Sequence, residues 1–244
     1  MPSYRTIVLD VDGTLVDSNA AHASAWIDAL AERGREIPFE RVRLLIGMGA
    51  DNLLPTLLSI TATSDEGCKL AERAGEIFRE QYLSTVKPFP RVRALLERMR
   101  RDGYTLVVAS SASEDLLGKL LAVGGVDDLI EYRISATDVH RSKPEPDCIL
   151  AALKKTGTAP QKAIMLGDTP YDVAAALRAE VNIIGLRCGG WDDDQLAGSI
   201  ATYADPEALL NAFEQSPLAS GPSSDRRGKR ISRSAAPSAT DLRR

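Results

Sequence analysis

Short apolar runs, rich in β-branched residues, recur along the chain and limit its fold more than any other feature. They lie at residues 4–9 (YRTIVL), 104–109 (YTLVVA), 163–166 (AIML) and 181–186 (VNIIGL), with a shorter candidate at 132–135. Each reads as a buried strand. From residue 91 onward, stretches of helical periodicity separate them, at 91–102, 113–123, 146–156 and 172–179, and a last helix is expected at 205–213. Strands alternating with helices of about 10 to 15 residues imply βαβ units and a mainly parallel sheet. The predicted fold class is therefore α/β, with a Rossmann-like core.

One connection breaks the rhythm. Between the first two strands the pattern is helical throughout, with helices expected at 20–33, 39–46, 51–59 and 65–84. That is too long for a single crossover and predicts an inserted all-helical cap domain. The expected division is a core of residues 1–18 and 87–214, a cap of 19–86, and a tail of 215–244. The tail is Ser, Pro, Gly, Ala and Arg with almost no large apolar residue, so it is expected to be disordered and basic.

Composition narrows the function classes. No apolar run approaches about 18 residues, so no membrane helix is expected. The N-terminus lacks a basic region, an apolar stretch and a cleavage site, so a cytoplasmic protein is expected, as monomer or homodimer. The three cysteines, Cys68, Cys148 and Cys188, fit no metal-ligand spacing and are expected as buried or half-buried free thiols. With two histidines, His22 and His140, a His-rich zinc site is not expected. Residues 215–244 hold seven Lys or Arg against two Asp, so the rest of a chain of net charge −4 carries −9. An acidic body is a poor nucleic-acid ligand, and no nucleic-acid partner is expected, with the basic tail the one segment that could make such a contact.

Four motifs carry chemistry. Asp10-Val11-Asp12-Gly13-Thr14 follows the first strand, and ligands of open parallel sheets bind beyond such strand ends. Two carboxylates two residues apart, before a Gly that frees the turn, can serve one metal and one phosphoryl group, although Asp-Gly-Thr is also common turn chemistry. Gly167-Asp168-Thr169-Pro170-Tyr171-Asp172 follows another strand. Here Asp168 could instead cap the next helix, with Asp172 a first-turn acid. Yet residues i and i+4 share a helix face, so both could point at the first pair. Four acids converging on one sheet edge would repel without a cation, and hard oxygen ligands suit Mg²⁺. Ser110-Ser111 ends the second strand, where a hydroxyl and the next N–H could hold a phosphate oxygen. Lys143 stands before Pro144 in a loop and could direct an ammonium toward phosphate.

In this order the motifs strongly resemble the haloacid-dehalogenase-like hydrolase superfamily over residues 4–213, in the branch with a helical cap that includes phosphoglycolate phosphatase and β-phosphoglucomutase. The resemblance implies a Mg²⁺-dependent phosphatase acting on a small phosphorylated metabolite. By it Asp10 is the nucleophile and a metal ligand. Asp12 is the general acid and base, with its main-chain carbonyl on the metal. Thr14 orders the loop at the substrate, Ser110 and Lys143 hold the phosphoryl group with Ser111, Asp168 binds the metal, and Asp172 supports it. The dehalogenases and phosphonate hydrolases of the superfamily lack an acid at the position of Asp12, so Asp12 favours oxygen esters of phosphate. Its working pKa is expected to be raised.

The cap sequence Gly47-Met48-Gly49-Ala50-Asp51 matches a loop that reaches over the active site in this branch, which makes Gly47, Met48 and Gly49 candidate substrate contacts; a Gly-rich helix–helix turn is the plainer alternative. His22 and Trp26 match a His and a Trp of the sugar-phosphate mutases, though helix packing would equally explain both. Residues 46–54 contain no basic residue to hold a second phosphate. That favours a hydrolase over a mutase, and a neutral sugar or polyol leaving group over an anionic one. A non-catalytic binding module would be expected to lose one of Asp10, Asp12, Lys143 or Asp168, and all are present.

Overall fold

The computed structural model describes residues 3–222. The chain begins with β1 (Thr6–Leu9) and a two-residue strand, β2 (Val16–Asp17), and enters four helices: α1 (Asn19–Ala31), α2 (Phe39–Arg43), α3 (Ala50–Leu58) and α4 (Asp65–Ile77). It returns through β3 (Lys87–Pro88). Then follow α5 (Val92–Arg101), β4 (Thr105–Ala109), α6 (Glu114–Gly124), β5 (Tyr132–Ile134), α7 (Asp147–Thr156), β6 (Ala163–Gly167), α8 (Pro170–Arg178), β7 (Asn182–Leu186), β8 (Ala201–Tyr203) and α9 (Pro206–Asn211).

Six strands form one parallel sheet in the order β5-β4-β1-β6-β7-β8. The apolar runs are continuous because the sheet is covered on both faces. Alternate residues go to opposite layers. Ile7, Leu9, Leu106, Val108, Ile164 and Leu166 meet α5, α6 and α9, whose contributions include Leu95, Leu120 and Leu209. Val8, Val107, Ala109 and Met165 meet α7 and α8 through Ile149, Ala152, Val173 and Ala176. The α/β expectation holds, with β8 added. Its sequence, Ala-Thr-Tyr, is half-buried and too short to stand out as an apolar run.

The cap is all helical, as the pattern implied. Leu30, Val42, Leu53, Leu54, Leu57 and Leu70 form its own cluster, while Ala25, Ala29, Ala74, Ile77 and Phe78 of the same segment join the main core. The chain leaves for the cap and returns through the antiparallel β2–β3 pair, with Val16 opposite Pro88 and Asp17 opposite Lys87.

Several expectations need correction. The helix expected over 39–46 ends at Arg43. The one expected over 65–84 is regular only to Ile77; a π turn, Phe78–Tyr82, and a 3₁₀ turn, Leu83–Thr85, complete it. Cys68 is exposed rather than buried. The tail does not begin at residue 215 or 216. Ser216 and Leu218 are buried, the Tyr104 hydroxyl donates to the Leu218 carbonyl at 2.7 Å, and Ser3 Oγ donates to the Gly221 carbonyl at 2.8 Å. One apolar side chain and a few hydrogen bonds suffice to dock a segment whose composition reads as linker. The rest of the expected disordered tail, from residue 223, lies outside the described residues. Among the described residues no helix is long and apolar enough to cross a membrane.

Candidate active site

The site is built where strands end. Leu9 stands opposite Val108 on one side and Leu166 on the other, so Asp10 emerges from the centre of the sheet beside the ends of β4 and β6. The Asp10 N–H still donates to the Leu166 carbonyl at 2.9 Å. Connections run outward from β1 in one direction through β4 and β5, and in the other through β6, β7 and β8. The site therefore sits at the topological switch point of the sheet. Ser110 follows β4, Asp168 follows β6, and Lys143 comes from the loop between β5 and α7.

The structure brings Asp10, Asp168 and Asp172 together. Each offers a carboxylate oxygen within 4.8 Å of the others, and all three are buried. Lys143 is 1% exposed, contacts Asp10 Oδ1 directly, and lies 2.7 Å from Asp172 Oδ1. Asp168 is not the cap of α8. Thr169 caps it, accepting from the Asp172 N–H at 3.1 Å while Asp172 Oδ2 accepts from the Thr169 N–H at 3.0 Å. This capping box uses one carboxylate oxygen of Asp172 and leaves the other for Lys143. Asp168 is oriented by the Thr14 hydroxyl, which donates to Oδ1 at 2.7 Å, and by Asn19 Nδ2, which donates to Oδ2 at 3.0 Å and to the Gly189 carbonyl at 3.2 Å. Gly13 makes this possible. Its φ is +80°, and a Cβ there would stand 2.2 Å from Asp168 Oδ2.

The electrostatics follow from burial. Burial pushes the Asp10 carboxyl up to about 7, with Asp172 and Asp12 adding to the rise and Lys143 opposing it. Burial, then Asp10 and Asp172, hold Asp168 well above the usual carboxylate range. Burial would lower the Lys143 ammonium, but Asp10 and Asp172 keep it well above its ordinary value. Three ionised carboxylates against one ammonium leave two negative charges uncompensated. A hard divalent cation matches both that deficit and the all-oxygen donor set, so these residues fit Mg²⁺.

Asp12 is arranged differently. Its carboxylate lies outside the cluster, so the metal contact expected of this residue rests on its main-chain carbonyl alone. Oδ1 accepts from Ser18 Oγ at 2.5 Å and lies 2.9 Å from His22 Nε2. The His22 ring stacks on Phe78 with centroids 3.9 Å apart. Burial raises the Asp12 carboxyl, but the charge and hydrogen bond of His22 and the bond from Ser18 outweigh it, and the net shift is downward. The expectation of a raised pKa is thus overturned in this arrangement.

A cavity of about 530 Å³ opens above Asp10 and Asp12. Ser110, Ser111, Gly47, Met48, Gly49 and His22 all line it, as the sequence suggested. Thr14 does not: it is fully buried, and its hydroxyl is taken by Asp168, so its expected place among the substrate contacts is corrected. Sequence reasoning missed Glu72, Glu76, Phe78 and Arg79 on the far wall. They lie more than 20 residues from any motif, and only the folding of α4 and the π turn after it brings them there. Asn19 was missed as well, though it lies only five residues beyond Thr14 of the first motif.

Comparison with known proteins agrees with this geometry. The model of the family described as haloacid dehalogenase-like hydrolase matches residues 7–186. Phosphoglycolate phosphatase of Aquifex aeolicus is 32% identical over 180 residues, covering 72% of this chain and 81% of that protein. Phosphoglycolate phosphatase of Yersinia pestis is 32% identical over 192 residues, covering 77% and 82%. Among solved structures, a hydrolase from Pseudomonas syringae superposes with a TM-score of 0.80 at 30% identity, covering 86% of this chain and 98% of that one. With the sheet order, the carboxylates at the switch point and the match over most of its length in accord, the chain belongs to the haloacid dehalogenase-like hydrolase family.

Proposed function

We propose that this hydrolase is a Mg²⁺-dependent phosphatase that cleaves a small phosphorylated metabolite through an aspartyl-phosphate on Asp10. The observation that carries the reading is the buried group of Asp10, Asp168, Asp172 and Lys143 beneath a cavity floored by Asp10 and Asp12. The phosphatase names of relatives about 30% identical support it.

Mg²⁺, held by Asp10, Asp168, Asp172 and the Asp12 main-chain carbonyl, would offset the charge of the phosphoryl oxygens. Lys143 shares that task, with the Ser110 hydroxyl and the Ser111 main chain at the remaining oxygens. Asp10 attacks phosphorus in line, so that its O–P bond forms as the bond to the leaving oxygen breaks. Asp12 passes its proton to that oxygen. Water then attacks phosphorus, Asp12 takes back a proton, and the bond to Asp10 breaks as phosphate departs. Asp12 must be neutral for the first step. The approach of an anionic phosphoryl group favours that form, and Oδ2, which takes no hydrogen bond from the described residues, faces no competitor.

The leaving group is read as neutral and hydroxylated, a sugar or polyol. Gly47 to Asp51 offer no cation. Arg79 is the one Lys or Arg among the described residues of the cavity wall, and Glu72 and Glu76 share that wall. A second phosphate or a carboxylate would meet no net positive charge, which also disfavours a mutase. The preference over phosphoglycolate is expected to be about 10-fold in kcat/KM, since one charge contact is worth about 1 to 2 kcal/mol. The founding test is phosphate release from an aryl phosphate. EDTA should abolish it, Mg²⁺ should restore it, Ca²⁺ should do so poorly, and Asp10→Asn should be inert. Full activity in EDTA would refute the reading.

A further inference from the structure

We propose that Asp51 and Asn52, at the start of α3, are positioning residues for Lys143, so that closing the cap and placing the Lys143 ammonium are one event. The inference rests on the reading of Lys143 as a phosphoryl-binding group.

Lys143 belongs to no helix or strand. Its ammonium must reach Asp10 and Asp172 from a loop, and where it stands depends on where the main chain of residues 142 and 143 stands. The cap holds that main chain. Asp51 Oδ2 accepts from the Ser142 N–H at 2.9 Å. Asn52 Nδ2 donates to the Ser142 carbonyl and to the Lys143 carbonyl, both at 3.2 Å. Two adjacent side chains of one helix thus take up three main-chain groups of two adjacent loop residues. The approach is close enough to exclude a side chain at Gly49, where a Cβ would stand 2.1 Å from Ser142 Oγ. Neither Asp51 nor Asn52 lines the cavity, so they act through Lys143 and not on substrate.

A second tether lies beside the first. The Tyr171 hydroxyl, on α8, donates to the Leu44 carbonyl of the cap at 2.5 Å. Cap contacts therefore reach both the loop that bears Lys143 and the helix that bears Asp172, the two partners of the buried ion pair. When the cap lifts, the three main-chain groups pass to water and the Lys143 loop loses its outer support. Phosphate would then leave a site whose anion holder has slackened.

The test uses the full-length protein. In the metal-free protein the Ser142 amide should exchange slowly with solvent in the wild type and in Asp51→Asn, which keeps an acceptor oxygen, and at least about 10-fold faster in Asp51→Ala. With Mg²⁺ and an aryl phosphate, Asn52→Ala and Asp51→Ala should each lower kcat by about 10- to 100-fold, with KM changed little and Asp51→Asn largely rescuing the rate. In a Lys143→Arg background the Asn52→Ala loss should shrink, because the group being positioned has already been changed. Losses that multiply in full with Lys143→Arg mean a general effect on the fold and overturn the inference, as does an unchanged kcat or an unchanged Ser142 exchange rate. If the wild type fails to cleave the aryl phosphate, the phosphatase reading falls and this inference with it. Cleavage at full rate by Asn52→Ala sinks the inference alone.

Discussion

Removing the metal should make the protein's stability fall as pH rises from 5 to 8, against the usual behaviour of an acidic protein whose carboxylates are paired. The cause is Asp10, whose carboxyl burial pushes up to about 7 from an ordinary 3.8. A carboxyl raised on folding contributes stability that is fully present below about pH 4 and is lost as pH climbs through 7, because the native state then holds a charge that it solvates poorly. Between pH 5 and pH 8 this one group removes roughly 2 to 3 kcal/mol of stability. Asp168 is raised as well and adds in the same direction. Asp12, which is lowered, has its opposing effect below about pH 4, and Lys143, which is raised, has its effect above the range of interest. With a urea dependence of about 2.5 kcal/mol per molar for a domain of this size, the unfolding midpoint should drop by about 1 M. The assay is urea unfolding in EDTA followed by the fluorescence of Trp26 and Trp191. Saturating Mg²⁺ should shrink the drop, since a cation that binds only the native state removes the penalty. Asp10→Asn should flatten it in EDTA. A midpoint that is equal or higher at pH 8, or a slope that persists undiminished in Asp10→Asn, would refute the reasoning.

Other outcomes follow from single contacts. Asp12→Asn should slow alkyl phosphates far more than aryl phosphates with good leaving groups, by about 100-fold against 10-fold or less in the burst phase, because only the former need its proton; equal slowing of the burst for both would remove Asp12 from the acid role. Truncation after Pro222 should leave the melting temperature and turnover unchanged, given the composition of what is removed. Truncation after Gln215 should cost about 3 kcal/mol, from the burial of Leu218 and the loss of its bond from Tyr104; equal stability of the two would show that residues 216–222 contribute nothing. Gly13→Ala should lose Mg²⁺ affinity measured by calorimetry and several kcal/mol of stability, since the new methyl meets Asp168 and the backbone is held at positive φ.

Much of this protein was legible because its signals are local. A strand buried on both faces must be a continuous apolar run, so β1, β4, β6 and β7 announced themselves. A residue that directly follows such a strand stands at the end of the sheet where ligands bind, so the placement of Asp10, Ser110 and Asp168 was legible, though not what each side chain meets. The length of the helical stretch after β1 required an insertion, whatever its shape.

What the tertiary structure decided is everything that depends on which distant segments meet. Sequence spacing left Asp168 free to cap a helix; the bonds from Thr14 and Asn19 turned it into the site, and Thr169 took the cap. The shift of Asp12 was expected upward from its role and is downward, because His22 and Ser18 reach its Oδ1 and no local pattern reveals a charge that arrives from the next helix. Glu72, Glu76 and Arg79 joined the cavity wall only through the packing of α4 and the π turn after it. Asp51 and Asn52 look like an ordinary helix start; that they grip the loop of Lys143, some 90 residues away, follows from the tertiary packing of α3 against that loop. Periodicity and strand-end position act over a few residues and are written in the chain. Electrostatic environment and contact between distant segments are set by three-dimensional neighbours, which a one-dimensional pattern does not contain.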